Sequence, residues 1–167
     1  MESGRNRVIR FFHDRGLTKE IFRFDESTHD SKKAAKALGV RLDQIAKSIL
    51  FMARGKPVLV VISGDKRVDL KALKKTLGEK RVRFARDTDV VEHTCFEVGA
   101  VSPVALPPFV RVLVDVSLKK SERIYPAAGG RDSMFSTSYS ELLELSCAEE
   151  VDISIEEAGK GRERYEG

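Results

Sequence analysis

The sequence predicts a mixed α/β domain, with a central, mostly antiparallel sheet and helices packed on it. Several segments carry apolar residues at helical spacing and end at a glycine, as at Gly16, Gly39 and Gly78. Between them lie short runs rich in β-branched and aromatic residues, of which 58–62 is the clearest. Turn residues at 55–57 separate two such runs at hairpin spacing, which favours antiparallel pairing.

The first elements alternate between helix and strand. Apolar residues at helical spacing predict a helix over 5–15, and period-two alternation predicts a strand over 20–25. A second helix is expected to begin at Asp30 or Ser31, since both residue types cap helices well, and to end at Gly39.

The middle of the chain predicts a hairpin and two more helices. A short helical turn at 42–46 leads into a strand over 47–52, which pairs with 58–62. A helix follows from Val68 to Gly78.

The remaining pattern is strand-rich. We expect a short strand over 81–84 and a helix over 87–93, capped by Asp87 or Thr88. The further predicted elements are strands at 109–114, 122–127 and 133–138, a helix at 139–145 and a last strand at 151–155.

Chain length and cysteine content narrow the class of protein. A chain of 167 residues suits one domain, because domains typically hold about 100–150 residues. We expect a single domain over 1–155 and a charged, frayed tail over 156–167. Cys95 and Cys147 lack the spacing of a disulfide framework or a zinc site, which favours a reducing compartment and no metal centre.

Neither a membrane span nor a signal peptide is predicted. The longest apolar run is 58–62, whereas roughly 20 apolar residues are needed to cross a bilayer. The N-terminus lacks the apolar segment of a signal peptide, so we expect a cytoplasmic protein without membrane contact.

The charge balance leans slightly towards polyanionic partners. Lys and Arg number 30 against 26 Asp and Glu, a net charge of +4. The cations crowd between Lys66 and Arg86, where a solvated surface and a phosphate-facing patch are equal alternatives.

A lysine lies in the otherwise apolar strand over 47–52. Strand alternation places Lys47 on the same face as Ile49 and Phe51. A buried ammonium is costly without a partner, so Lys47 either reaches water, forms a salt bridge or meets an anionic ligand.

A Gly-x-x-x-Pro loop, from Gly99 to Pro103, follows Thr94 and Phe96. Taken alone, this motif is better explained as a plain turn, because glycine and proline are common turn residues. In a functional loop, glycine would permit close backbone approach and proline would restrict the exit of the chain.

In this order, Lys47 and the loop at 99–103 resemble the YbaK/ProX family of trans-acting aminoacyl-tRNA deacylases. That family shares its fold with the editing domain inserted in bacterial prolyl-tRNA synthetases, and the resemblance covers about residues 20–146. It implies hydrolysis of a mischarged small amino acid from tRNA, with tRNA(Pro) as the first candidate, and no cofactor. It implies the 3′ acceptor end of aminoacyl-tRNA as partner, with prolyl-tRNA synthetase as a second one. We expect a monomer or a weak dimer.

The resemblance also assigns roles to individual residues. Lys47, Gly99 and Pro103 would be catalytic, with the lysine contacting the tRNA 3′ end and the loop backbone holding the scissile carbonyl. The substrate-binding residues that it implies are Ala100, Val101, Ser102, Phe22, Thr28, Gly129 and Asp132. Two alternatives stay open: Phe22 as a core residue, and the segment 127–133 as a simple β-turn.

The sequence departs from the family pattern at two places. Cys95 stands where the family often has glycine, and Val104-Ala105 replaces the common Phe-Gly after the proline. These changes put the substrate amino acid in doubt. They also motivate a second hypothesis, a non-catalytic module that binds tRNA or a synthetase.

A thiol hydrolase is a third hypothesis. Cys95 and His93 would share a face if both lay in a strand, although no third group is evident to orient them. A serine-hydrolase elbow, a metal-binding histidine pair, a Walker-A motif and a dinucleotide-binding glycine pattern are all absent from the sequence.

Overall fold

The structure is a computed structural model that describes residues 2–157. The helices are α1 (Gly4–Asp14), α2 (Ser31–Leu38), α3 (Leu70–Leu77), α4 (Asp87–Thr94) and α5 (Tyr139–Ser146). The strands are β1 (Ile21–Arg23), β2 (Ile45–Ala53), β3 (Lys56–Ser63), β4 (Lys66–Val68), β5 (Val82–Phe84), β6 (Arg111–Asp115), β7 (Tyr125–Pro126), β8 (Ser133–Phe135), β9 (Glu149–Val151) and β10 (Ser154–Glu156). Leu42–Gln44 and Val116–Lys120 form short 3₁₀ segments.

The helix ends follow the local sequence signals at most positions. The side chain of Asp30 accepts hydrogen bonds from two backbone N–H groups at the start of α2, and Asp69 does the same for α3. Gly39 and Gly78 end these helices with left-handed φ angles of 73° and 65°. Helix α4 differs, because its N-cap is Arg86 rather than the predicted Asp87 or Thr88.

The central sheet has the order β5-β2-β3-β6-β9, and β7 also pairs with β2. The predicted β2–β3 hairpin is confirmed, with antiparallel register from Ala46↔Ser63 to Ala53↔Lys56. The mixed α/β class is confirmed as well. The sheet, however, is mixed rather than mostly antiparallel, because β3–β6, β6–β9 and β2–β7 are parallel pairs. Parallel pairing requires a crossover connection, here the long path from β3 through α3 and α4 to β6, and local patterns do not reveal its course.

Two smaller sheets join distant parts of the chain. β1 pairs with β8, and β4 pairs with β10, both antiparallel. The predicted strand over 151–155 is therefore two strands, separated by the buried Ile153. Glu156 lies in β10 opposite Lys66, although the frayed tail was predicted to begin there. Residues 158–167 of that tail lie outside the described part of the chain.

The core lies on both faces of the central sheet. One face carries Leu59 and Val61 and is covered by α1 and α5 through Val8, Phe12 and Leu142. The other face contains Val60 and Ile62 and packs against Leu73 of α3. A small third cluster joins Ala34 and Ala35 of α2 to Ile45 and Met134. None of the helices within residues 2–157 has the length and apolar character of a bilayer span.

Candidate functional site

The edge of β2 that faces away from β3 contains a notch. β7 pairs only with Ile45 and Ala46, and β5 pairs only with the stretch from Phe51 to Ala53. Within the described chain, residues 47–50 pair with neither strand, apart from the Leu50 carbonyl, which accepts a hydrogen bond of 3.0 Å from the Ala85 N–H. The sheet is therefore open at the position of Lys47 and Ser48.

Backbone groups of Ser48 face this notch. In an antiparallel pair, alternate residues direct both N–H and C=O away from the partner strand. The Leu50 carbonyl and the Arg54 N–H, which bond to Ala85 and Arg81 at 3.0 and 2.8 Å, place the even-numbered residues of β2 in that set. The N–H and C=O of Ser48 consequently point into the gap between β7 and β5.

The Ser48 hydroxyl is also unpaired. Its Oγ is buried and has no hydrogen-bond partner among residues 2–157. A buried polar group without a partner costs about 1–3 kcal/mol, so such a group in a native structure indicates a place for a ligand atom or a water. Sequence reasoning missed Ser48, since a serine beside an apolar run is an ordinary strand residue.

A cavity of about 100 Å³ occupies the notch. Four predicted site residues line it together: Thr28, Lys47, Gly99 and Val101. His29, Ser48 and Gly130, which were not predicted, line it as well. Because the notch opens through the sheet edge, side chains from both faces of β2 reach the same cavity.

Lys47 is half-buried beside this cavity. Its side chain is 23% exposed, and its Nζ lies 3.9 Å from Oε1 of Glu157. Burial lowers the pKa of the Lys47 ammonium, while the carboxylates of Glu157 and Asp65 oppose that shift. The lysine thus has a loosely placed acidic partner and remains within reach of an anionic ligand in the cavity.

Gly99 meets two steric requirements at once. Its φ is +86°, a conformation that L side chains rarely adopt. A Cβ at this position would also lie 3.1 Å from the Cβ of His29 and 3.2 Å from Nε of Arg131. Glycine therefore lets the loop backbone approach the segment around His29 and close one side of the cavity.

Arg7 of α1 fixes the ends of the loop, and sequence reasoning missed it. Its guanidinium donates hydrogen bonds to the carbonyls of Thr94, Cys95 and Ala105 at 2.7, 2.7 and 3.1 Å. It also lies 3.9 Å from the centroid of the Phe96 ring.

The other predicted loop residues lie behind the cavity. Ala100 is fully buried in the core, and the buried Ser102 hydroxyl accepts a hydrogen bond of 3.4 Å from the Val104 N–H. Pro103 is buried and borders a different cavity of about 530 Å³, near Phe109. These three residues support the loop from its far side rather than facing Lys47.

Three more predicted residues lie outside the cavity lining. The Phe22 ring packs 6.4 Å from the Tyr125 ring, measured between centroids. A Cβ on Gly129 would lie 2.4 Å from the backbone oxygen of Gly4, so this glycine allows α1 to dock. The carboxylate of Asp132 lies 3.9 Å from the guanidinium of Arg23.

The departures from the family pattern concern backbone conformation. Cys95 has a φ of +63° and Ala105 a φ of +61°. Glycine adopts such angles without steric cost, which explains why the family pattern has glycine at these two positions. Neither residue lines the cavity beside Lys47.

The thiol-hydrolase hypothesis depends on His93 and Cys95 lying side by side in a strand, and the structure does not place them so. His93 and Cys95 do not share a strand, because His93 lies in α4 and Cys95 is the C-cap of that helix. The His93 ring packs against Phe109, with 6.4 Å between the ring centroids. Within residues 2–157, no group of three His, Cys, Asp or Glu side chains is placed to hold a metal ion.

Comparison with known proteins reveals clear relatives. Residues 25–145 match the model of the aminoacyl-tRNA editing domain. The uncharacterized protein YwhH of Bacillus subtilis (strain 168) is 37% identical over 128 residues, which are 76% of this chain and 81% of that protein. The proline–tRNA ligase of Nitratidesulfovibrio vulgaris (strain Hildenborough) is 34% identical over 91 residues, 54% of this chain but only 16% of the ligase.

Solved structures agree with these sequence matches. The crystal structure of a proposed trans-editing enzyme for prolyl-tRNA synthetase superposes with a TM-score of 0.85 at 28% identity, covering 93% of this chain and 99% of that one. The hypothetical protein APE2540 gives a TM-score of 0.83 at 35% identity, with coverage of 89% and 99%. The chain belongs to the YbaK-like aminoacyl-tRNA editing domain family and is related in sequence to a segment of proline–tRNA ligase.

Proposed function

We propose that this chain is a free-standing deacylase that hydrolyses the ester between a mischarged small amino acid and its tRNA, with tRNA(Pro) as the first candidate. One observation carries the proposal: the Lys47 ammonium and the Gly99 backbone border the same small cavity, at an open edge of β2. The match to editing domains, including a segment of a proline–tRNA ligase, supports the substrate class.

The proposed reaction requires positioning more than a strong nucleophile. A water oxygen adds to the ester carbonyl carbon, and the bond to the ribose oxygen breaks. One proton of that water ends on the released ribose hydroxyl, and the other passes from the new carboxyl group to the solvent. Negative charge develops on the carbonyl oxygen in the transition state, and preorganised donors stabilise it. The Lys47 ammonium, the Ser48 N–H and the unpaired Ser48 hydroxyl are donors that the notch offers.

The cavity favours a small amino acid. Its volume of about 100 Å³ is well below the roughly 300–1,000 Å³ of pockets for drug-sized ligands. Apolar side chains of Ala46, Val101 and Met134 form part of its wall. Since one methylene changes pocket affinity by only about 1–3 kcal/mol, a second site that hydrolyses wrong esters adds needed selectivity.

Deacylation of tRNA(Pro) charged with Cys, Ala, Ser or Pro tests the proposal. We expect hydrolysis of one non-cognate ester and little hydrolysis of Pro-tRNA(Pro). Lys47→Ala removes the ammonium and should lower kcat/KM by at least about 100-fold, the typical loss for one oxyanion donor. Lys120→Ala is the matched control, because Lys120 is exposed and forms no ion pair among the described residues.

Two results would contradict parts of the proposal. Undiminished activity of Lys47→Ala would remove Lys47 from the mechanism. A folded protein that binds tRNA but hydrolyses no ester would support the binding module instead. Cys95 is exposed and Val104 is a core residue, both away from the cavity, so these departures from the family pattern do not favour the binding module.

A further inference from the structure

A second cavity lies at the opposite end of β2 and has a basic lining. Its volume is about 560 Å³. The β2–β3 turn, α3 and the start of β5 surround it, so elements distant in sequence build it together. The charged residues that line it are Arg54, Lys74, Lys80, Arg81 and Arg83.

Acidic side chains neutralise only part of this charge. Glu79 lies 3.7 Å from Nε of Arg54, and Asp89 accepts a hydrogen bond of 2.8 Å from Arg83. Lys74 and Lys80 form no ion pair within residues 2–157. Five cations against two paired carboxylates leave an excess of about three positive charges, which favours an anionic ligand.

The basic cavity and the notch lie along the same strand. The notch is at Lys47 and Ser48, and the basic cavity borders Met52 and Arg54. Arg54 lies six positions after Ser48 in the sequence, which corresponds to about 20 Å at the rise of a β-strand. β5 pairs with β2 at Phe51 to Ala53, between the two cavities, so one extended ligand that reaches both passes across β5 rather than along the edge of β2.

We propose that the basic cavity binds phosphates of the RNA strand whose 3′-terminal ester occupies the notch. This inference rests on the proposed function, because the notch must hold the ester. A few nucleotides of single strand span the separation of the two sites. Phosphate contacts by Lys and Arg fix the register of a nucleic acid without reading its sequence. The described lining contains no aromatic ring for base stacking, so the site contacts the backbone.

The test is tRNA binding and ester hydrolysis by a charge-reversed variant, Lys80→Glu with Arg81→Glu. Both side chains are exposed in the loop before β5, so the fold should persist. The matched control, Lys120→Glu with Arg15→Glu, makes the same charge change at exposed positions outside both cavities. Affinity for uncharged tRNA is measured between about 50 and 200 mM salt, the range over which phosphate contacts weaken strongly.

We expect the test variant to bind tRNA at least about tenfold more weakly than the wild type at low salt. The ratio of the two affinities should fall about tenfold across that salt range, because added salt screens the phosphate contacts. Hydrolysis of an aminoacyl-adenosine ester, which lacks the upstream phosphates, should be unchanged. The control should bind within about twofold of the wild type at equal salt.

The measurement of tRNA affinity tests the inference even if no ester is hydrolysed. Wild-type affinity in the test variant, an equal loss in the control, or the absence of salt-dependent tRNA binding by the wild type would each overturn it. Failure of the proposed function would instead appear as absent hydrolysis of every ester, including aminoacyl-adenosine.

Discussion

At the scale of single residues, two non-glycine side chains occupy left-handed backbone positions in the functional loop. Cys95 and Ala105 have φ angles of +63° and +61°. Left-handed geometry costs an L residue about 1–2 kcal/mol relative to the right-handed form. The loop retains this geometry because the three hydrogen bonds from Arg7 hold it. Cys95 and Ala105 therefore affect the conformational energy of the loop backbone rather than the lining of the substrate cavity.

The contact between Lys47 and Glu157 predicts a pH effect. Burial lowers the pKa of Lys47, and the Glu157 carboxylate opposes that shift. Glu157→Gln removes the opposing charge, so the pKa of Lys47 falls further and the ammonium deprotonates at lower pH. Because the proposed role requires protonated Lys47, the alkaline limb of the kcat/KM profile should move to lower pH, as measured with one ester substrate.

Glu156→Gln is the control for this change. Glu156 is the neighbouring residue, but its carboxylate bonds to Lys66 rather than to Lys47. Its pH profile should match that of the wild type. A Glu157→Gln profile that also matches would show that Glu157 does not act on the active form of Lys47.

At the scale of elements, α1 is a support for the functional loop. The resemblance to editing domains began only near residue 20, so the helix had no expected role. In the structure, Arg7 binds carbonyls at both ends of the segment 94–105. Gly4 and Gly129 also bring α1 into backbone contact with the loop before β8. A single helix thus fixes two segments next to the cavity.

Replacing Arg7 should weaken both loop position and stability. Arg7→Met keeps an unbranched apolar stem but removes the guanidinium and its three hydrogen bonds, and we expect a loss of about 2–3 kcal/mol in the free energy of unfolding. A loop displacement of about 1 Å can cost about 100-fold in rate, so kcat should fall more than KM rises. Urea unfolding and steady-state kinetics, the latter at a temperature where the variant is fully folded, measure the two effects.

Arg10→Met provides the comparison on the same helix. Arg10 pairs with Glu2 at the surface, and exposed pairs contribute only about 0–1 kcal/mol. Its activity should equal that of the wild type. If Arg7→Met is as active as Arg10→Met when folded, Arg7 does not position the loop.

At the scale of the whole molecule, β10, the last strand of the described residues, is joined to the sheet by a buried carboxylate. Asp115, at the end of β6, accepts hydrogen bonds of 2.7 Å from the Ile153 N–H, 2.7 Å from the Ser154 hydroxyl and 2.9 Å from the Ser117 N–H. These bonds orient β10, which ends next to Glu157 and so brings an acid to Lys47. The site therefore combines residues from both ends of the described chain.

Asp115→Ala should destabilise this connection. It leaves buried donors without an acceptor, which we expect to cost about 3 kcal/mol in the free energy of unfolding. Faster amide hydrogen exchange in β10 should accompany the loss. Asp152→Ala is exposed in the same segment and should change stability by less than about 0.5 kcal/mol. Equal unfolding midpoints for the two variants would contradict the proposed role of Asp115.

Local signals were sufficient for most elements and for part of the site. Gly39 and Gly78 end their helices as predicted, and the turn at Gly55 joins the expected hairpin. The joint pattern of Lys47 and Gly99 pointed to the correct family, and the structure brings both residues to one cavity. These features depend on residues only a few positions apart, or on a motif order that can be read along the chain.

What only the tertiary structure decided depends on contacts between distant residues. The parallel addition of β6 and β9, the notch between β7 and β5, the reach of Arg7 to the loop and the approach of Glu157 to Lys47 each join segments far apart in sequence. The Ser48 hydroxyl also depends on distant contacts, because packing of the chain buries it and leaves it without a hydrogen-bond partner among the described residues. Amino-acid patterns determine what each segment can form. Which segments meet, and therefore which polar groups remain unpaired at the site, is decided by the packing of the whole chain.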